Sequence, residues 1–229
     1  MSVFQLTKEI TFPPPSLADK NGLLAVGGDL QPDRLVAAYK SGIFPWFSSG
    51  DPLLWWFIDP RLVIILNEFK ISRRLSRDIR KGQFRITFDR AFTQVIASCA
   101  QIHQEEEGGT WISGQMQDAY CRLHELGYAH SVECWQGDIL AGGLYGIALD
   151  RIFFGESMFT RVSNASKVAL AALVSRLKGA DFHLIDCQMT TRHLLSFGAR
   201  EISGTEFLDQ LKGSIQTTVP CGKWCDDVF

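Results

Sequence analysis

The sequence predicts an α+β protein in two parts: a small N-terminal α/β domain over residues 1–62, and a larger domain over residues 63–229 built on a mixed sheet. Three observations carry that prediction. Residues 152–188 read strand, helix, strand, a unit that lays its two strands parallel and usually side by side. The stretches before it, 129–135, 139–149 and 152–159, are separated by Gln136-Gly-Asp138 and Asp150-Arg151 turns and read as an antiparallel meander. Residues 1–62, by contrast, are rich in Gly and Pro and hold no long periodic segment.

A chain of 229 residues that is 46% hydrophobic has ample core for such a fold. No run approaches the ~20 apolar residues of a membrane span. The beginning carries Lys8 and Glu9 but no apolar signal segment, so a cytoplasmic protein with no membrane partner is expected. Cys99, Cys121, Cys134, Cys187, Cys221 and Cys225 are scattered, mostly in apolar patterns, and read as reduced core residues. Cys221 and Cys225 have no second pair and no neighbouring His. The histidines show no ligand spacing, so no metal site is expected.

The net charge of −2 argues against bulk attraction to nucleic acid, yet the charge is unevenly spread. Lys70, Arg73, Arg74, Arg77, Arg80, Lys81 and Arg85 face only Asp78 within residues 70–85, a local net charge of +6. A phosphate partner would therefore be met locally. A solvated amphipathic helix, with Leu75 and Ile79 inward, explains the same residues without a partner.

Along the first part, Phe12-Pro-Pro-Pro-Ser16 is extended, Gly27-Gly28-Asp29 turns, and Pro32 opens a helix through Leu35, Val36 and Tyr39 that Gly42 closes. Trp46, Trp55 and Trp56 follow in Gly/Pro-rich surroundings. Such residues are structural plugs or a stacking platform for bases. Asp59-Pro60-Arg61 reads as the boundary.

From Leu62 the pattern becomes regular. Residues 62–66 form a strand, Ser72 caps the basic helix that Gly82 ends, and residues 84–88 alternate as a strand. Asp89 caps a helix with Phe92, Val95, Ile96 and Cys99 inward. Glu105-Glu-Glu-Gly-Gly-Thr110 is an acidic loop, and Ser113 caps a helix that Gly127 closes. Gly142, Gly143 and Gly146 lie mid-strand, where they mark a bulge or a close approach of a ligand to the backbone.

Residues 152–189 concentrate the chemistry. Two apolar strands flank a helix with an N-cap at Asn164, an Ala/Leu-rich body and a closing Gly179. The first strand carries Glu156 and the second Asp186 and Gln188, which strand alternation puts on one face. Carboxylates among Phe, Ile, Leu and Met are costly unless paired. Either the network satisfies itself, or it awaits a cationic or proton-giving substrate, with one carboxylate as general base. Gly155-Glu-Ser-Met-Phe159 lacks the final glycine of a hydrolase elbow, which counts against Ser157 as a nucleophile.

Strand, two helices, three-strand meander, helix, parallel strand: this order is that of the N-acetyltransferase (GNAT) fold, in which two parallel strands splay and an amine binds between them. A coenzyme-A-dependent N-acetyltransferase is one function this topology allows. Such enzymes bind pyrophosphate on a Gly-x-Gly/Ala segment that opens the helix after the splayed strand. Here that segment reads Arg161-Val-Ser-Asn-Ala-Ser166, without glycine, which suggests another acyl donor. A non-catalytic RNA-binding module is a third reading.

Asn21-Gly-Leu-Leu-Ala-Val-Gly-Gly-Asp-Leu30, Gly42-Ile-Phe-Pro-Trp-Phe47, Gly109-Thr-Trp-Ile112, Leu123-His-Glu-Leu-Gly127, His130-Ser-Val-Glu133, Gly155-Glu-Ser-Met-Phe159 and Leu184-Ile-Asp-Cys-Gln188 closely resemble the bacterial leucyl/phenylalanyl-tRNA–protein transferases. The order is unbroken to about residue 200. The resemblance implies an enzyme that moves Leu or Phe, with Met as a further candidate, from its aminoacyl-tRNA (leucyl-tRNA or phenylalanyl-tRNA) to the α-amine of proteins beginning with Arg or Lys, creating an N-degron. It implies a small N-terminal domain beside a GNAT-like one, no metal or coenzyme, and a monomer. Asp186 and Gln188 would be the catalytic pair, with Glu156 orienting the amine. Trp46 and Trp111 would hold the terminal adenosine of the tRNA, and the helix bearing Arg73, Arg74, Arg77, Arg80 and Lys81 would take the acceptor stem. Asp186 is then either a base or an electrostatic anchor, and an acidic gap would suit a cationic N-terminal residue. Leu144, Phe153, Leu170, Leu173 and Ile185 would line the aminoacyl pocket. Leu144 and Leu173 replace the expected Met and Phe, which leaves the preference among Leu, Phe and Met open. The tail after residue 200 carries no transferable motif.

Overall fold

The computed structural model describes residues 3–48, 50–107, 109–217 and 219–224, without the side chains of residues 106 and 107. In chain order the elements are β1 (Phe4–Leu6), β2 (Leu23–Gly27), α1 (Pro32–Lys40), β3 (Phe44–Pro45), β4 (Leu54–Trp56), β5 (Arg61–Ile65), α2 (Arg73–Arg80), β6 (Arg85–Phe88), α3 (Phe92–Glu107), α4 (Gly114–Glu125), β7 (Ala129–Gln136), β8 (Ile139–Leu149), β9 (Ile152–Thr160), α5 (Ala165–Gly179), β10 (Leu184–Gln188), α6 (Arg192–Leu195), β11 (Arg200–Ile202) and α7 (Gly204–Ser214). They build a small sheet in the order β1-β2-β4-β3 and a larger one in the order β11-β5-β10-β9-β8-β7-β6. The larger sheet is mixed, as expected: β7, β8 and β9 form the antiparallel meander, while β10 runs parallel to β9 and antiparallel to β5.

Alternation along the strands sends side chains to two faces. Leu62, Ile64, Phe153 and Ile185 turn towards α5 and Leu75 of α2. Val63, Tyr145, Phe154 and Leu184 turn the other way, into one core with α3, α4 and the N-terminal elements. The small sheet thus buries its apolar face on the large one, and the N-terminal part shares a core with the rest. Trp55 is the plug of that junction, fully buried with its Nε1 donating to Gly27 O at 2.8 Å. β5 begins at Arg61, so the larger sheet also takes in Arg61 and Leu62.

Several local expectations are corrected. Asp89 does not cap α3. It sits at φ 56, and its carboxylate instead accepts from Ser131 N and pairs with His130 Nδ1, each at 2.8 Å. The start of α3 is met by the buried Glu133, whose Oε2 accepts from Arg90 N at 3.4 Å. Asn164 is left-handed at φ 69 and makes no cap bond; its Nδ2 donates to Asp78 Oδ2 at 3.2 Å, which moors α2 to the start of α5. Glu105 to Glu107 continue α3 instead of forming a loop. Ile79 is 37% exposed, and Leu75 is the one buried residue of α2, which packs beside α5. The second apolar strand is shorter than residues 182–189 and ends at Gln188.

The glycines of β8 answer to the chain itself. A Cβ at Gly146 would stand 2.1 Å from Phe154 O, so β9 closes there only against glycine. Beyond α7 the tail turns back over the molecule. Asp150 Oδ2 accepts from Gln216 N at 2.7 Å, and Trp224 stacks on His130 with ring centroids 4.0 Å apart.

Candidate active site

Pairing between β9 and β10 runs Leu184 to Ile152, Ile185 to Phe153 and Asp186 to Phe154, and stops there. Past that point the strands part, and Glu156 and Gln188 stand at the opening. Two bulges aim them. On β8, Tyr145 faces Ser157 and Gly146 faces Gly155, so Glu156 is an extra residue with no cross-strand partner. On β10 the register slips between Asp186 and Gln188, and Gln188 adopts φ 52. Bulges re-aim side chains in this way. The simple alternation that would put Asp186 and Gln188 on one face is therefore broken at Cys187.

Asp186 is fully buried and doubly bound. Its Oδ1 accepts from Arg61 Nε at 2.8 Å and from Gln188 N at 3.0 Å, and its Oδ2 accepts from Arg61 Nη2 at 2.7 Å. Arg61 also donates to Gly42 O at 3.0 Å, and its guanidinium lies 4.5 Å from the Phe207 ring centroid and 5.0 Å from that of Phe44. A fork of two parallel bonds between ionised groups is the strong form of such a pair. The charge of Asp186 is thus met by the chain itself, and the gap is less acidic than two free carboxylates would make it.

Glu156 is only partly buried and meets no cation directly. Tyr120 donates to its Oε2 at 2.9 Å, Gln188 Nε2 donates to its Oε1 at 3.3 Å, and the Tyr120 hydroxyl is itself bonded to that of Tyr39. Burial pushes the Glu156 carboxyl up to about 7, and the nearby Asp186 adds to that, against the lowering pull of the Tyr39 and Tyr120 bonds and of Arg61. Such a group exchanges a proton near neutral pH, as a general base must. Beside it, Ser157 Oγ lies 3.0 Å from His103 Nε2.

On the α3 and α4 side, Trp46 and Trp111 line a cavity of about 660 Å³ with Ala100, Gln104, Ser113 and Gln117. Trp56 braces Trp46, donating from Nε1 to Trp46 O at 2.6 Å. The cations of α2, namely Arg73, Arg74, Arg77, Arg80 and Lys81, are all exposed. Leu144, Phe153, Leu170, Leu173 and Ile185 come together, none more than 3% exposed, on the α5 face. That is the face opposite Asp186, because Ile185 and Phe153 alternate with Asp186 and Phe154.

The start of α5 is closed to a pyrophosphate. Thr160 Oγ1 accepts from Ser166 N at 3.0 Å, Val162 O accepts from Ala165 N at 3.0 Å, and a Cβ at Gly142 would stand 2.7 Å from that of Ala165. Amides already bonded within the chain cannot cradle phosphate oxygens. Among the described residues no three His, Cys, Asp or Glu side chains group to hold a metal ion, and no helix is long and apolar enough to cross a membrane.

Arg61, Tyr39 and Tyr120 escape a reading of the sequence. Arg61 reads as a boundary residue and the tyrosines as helix core. The available signal was the cost of Asp186 itself, since a carboxylate on a central strand demands a cation.

A mixed sheet that opens between two parallel strands, with a carboxyl raised by burial at the opening, is the architecture of a GNAT-like fold. The family model described as leucyl/phenylalanyl-tRNA protein transferase matches residues 63–212, and that of its N-terminal domain matches residues 28–57. A leucyl/phenylalanyl-tRNA–protein transferase of Syntrophobacter fumaroxidans is 55% identical over 224 residues, covering 98% of this chain and 96% of that one. Another, of Syntrophotalea carbinolica, is 53% identical over 227 residues, covering 98% and 99%. The chain belongs to the leucyl/phenylalanyl-tRNA–protein transferase family, whose members are aminoacyltransferases. Among solved structures, FemX aligns with a TM-score of 0.47 at 12% identity, covering 75% of this chain and 66% of that one.

Proposed function

We propose that the protein moves leucine or phenylalanine from its tRNA to the α-amine of proteins beginning with Arg or Lys, marking them for degradation, and that it acts as a monomer in the cytoplasm. The observation that carries the reading is the placement of Glu156 and Gln188 at the opening between β9 and β10, on a sheet whose α5 start is closed to coenzyme A. The aminoacyl ester is already activated, so aligning a neutral amine is the main task. The amine nitrogen attacks the ester carbonyl, Glu156 takes its proton, and the carbon–oxygen bond to the tRNA 3′-oxygen breaks. Gln188 orients the amine, and Asp186, held by Arg61, fixes the Gln188 backbone. Asp186 serves as the anchor in this scheme and Glu156 as the base.

Trp46 and Trp111 take the terminal adenosine, with the cavity of about 660 Å³ between them. The side chain of the transferred residue passes through the parted strands to Leu144, Phe153, Leu170, Leu173 and Ile185. Arg73, Arg74, Arg77, Arg80 and Lys81 hold the acceptor stem, close to the opening because α2 is moored at the start of α5.

The test is transfer of radiolabelled leucine from leucyl-tRNA to two peptides that differ only in an N-terminal Arg or Ala, with neither ATP nor coenzyme A present. Label on the Arg peptide alone is expected. Label on neither, or saturable micromolar binding of coenzyme A, overturns the reading.

A further inference from the structure

We infer that Ser157 and His103 form a proton-delivery pair for the departing tRNA oxygen, on the opposite side of the reacting carbonyl from Glu156. The inference rests on the proposed aminoacyl transfer. That reaction needs two proton movements, one off the amine and one onto the 3′-oxygen, and Glu156 accounts for the first only. An unprotonated alkoxide is a poor leaving group, and a positioned acid typically accelerates such a step by about 10²–10⁴-fold.

The geometry supplies the second. Because Glu156 is the extra residue of the bulge, the consecutive Glu156 and Ser157 both project to the α3 and α4 side of the sheet. Glu156 bonds Tyr120 of α4, and Ser157 Oγ lies 3.0 Å from His103 Nε2 of α3. The two groups then take different partners, Glu156 bonding Gln188 and Ser157 bonding His103, which stands beside the tryptophan cavity. The His103 ring centroid is 6.5 Å from that of Trp111, and Ala100 and Gln104, its neighbours on α3, line that cavity. All three of Glu156, Ser157 and His103 are partly exposed, so a substrate can reach them. An adenosine held by Trp46 and Trp111 presents its ribose towards Ser157, and the ester carbonyl falls between Ser157 and Glu156.

The amine nitrogen bonds the ester carbon and gives its proton to the Glu156 carboxylate. The bond from carbon to the 3′-oxygen breaks, that oxygen takes the Ser157 hydroxyl proton, and the His103 imidazolium returns one from Nε2 to Ser157 Oγ. Solvent then removes the proton from Glu156 and restores that of His103. Ser157 touches the leaving oxygen and is a catalytic residue; His103 acts through it and is a positioning residue.

The experiment measures kcat and KM for leucyl-tRNA in His103→Gln, Ser157→Ala and the double variant, with tRNA affinity measured separately by filter binding. Glutamine keeps a hydrogen bond to Ser157 but delivers no proton. A kcat lowered at least 100-fold in each single variant, KM within threefold, and a double variant no worse than the worse single one are expected. A kcat within threefold in His103→Gln makes the pair a clamp between α3 and β9 and overturns the inference. A rise in KM at constant kcat makes it a ribose-binding element and overturns it too, as do additive losses in the double variant. Should His103→Gln not fold, Ser157→Ala decides by the same criteria. Failure of the wild-type chain to transfer leucine at all removes the proposed function, and the pair with it.

Discussion

Asp186 and Arg61 are separated by 125 residues and meet in a fully buried two-point ion pair, at 2.8 and 2.7 Å. Each holds the other where neither would be tolerated alone. Removing one partner strands a buried charge and costs about 3–5 kcal/mol, whereas replacing both by apolar groups is often neutral. Arg61→Met should therefore lower the free energy of urea unfolding by about 3–5 kcal/mol. The double variant Arg61→Met with Asp186→Leu should regain most of that stability yet stay inactive, since Gln188 N loses its anchor. Equal stability of the single and double variants would remove the ion pair from the account.

Glu156 sets the pH dependence. Its carboxyl is raised from an ordinary 4.5 to about 7, chiefly by burial, and only the ionised form accepts a proton. In the proposed scheme, transfer at subsaturating leucyl-tRNA should rise as pH climbs through about 7. Glu156→Gln should be lower by about 10²-fold or more and should lack that limb. Stability runs the other way. A group whose folded value is raised stabilises the fold fully below 4.5, and that stability is lost as pH climbs through about 7. Thermal melts should show the Gln variant gaining on the wild type between pH 5 and pH 8.

Trp46, Trp111 and Trp55 should separate cleanly. Trp46→Ala and Trp111→Ala each remove a stacking face worth about 1–3 kcal/mol per base, so KM for leucyl-tRNA should rise about 5- to 150-fold while the fold stays intact. Trp55→Ala, at a fully buried site, should instead destabilise by about 3–5 kcal/mol. Unchanged KM in both cavity variants would place the adenosine elsewhere.

The basic helix should act through charge alone. Arg77→Glu with Arg80→Glu should weaken tRNA binding, lower the slope of log affinity against log salt by about two or more, and leave kcat at saturation within about threefold. A loss of kcat with no change in salt slope would remove α2 from the acceptor-stem interface.

Much of this was legible in the order of residues. The meander, the strand-helix-strand unit and the three polar groups on it follow from periodicity, because packing alone leaves no place for Glu156, Asp186 or Gln188. The partners were not legible. Arg61 stands in an Asp-Pro-Arg turn that reads as a boundary, and nothing local announces a counter-ion on a strand 125 residues before its carboxylate. Nor does a pattern of alternating residues reveal a bulge, since the extra residue is defined only against its cross-strand partner. The bulges at Glu156 and Cys187 decide which carboxyl faces the opening. That is why the proposed scheme gives the basic role to Glu156 and leaves Asp186 as the anchor.

The pairing of Arg61 with Asp186 also has a meaning for biosynthesis. At roughly 5–20 residues per second, a ribosome needs about 6–25 s to travel from the codon of Arg61 to that of Asp186. Throughout that interval the guanidinium has no carboxylate to receive it, and the strand that seats it has no β10 beside it. A nascent chain released early therefore has neither a closed sheet nor an opening for an amine. The opening between β9 and β10 is completed only once the chain has been made through Gln188.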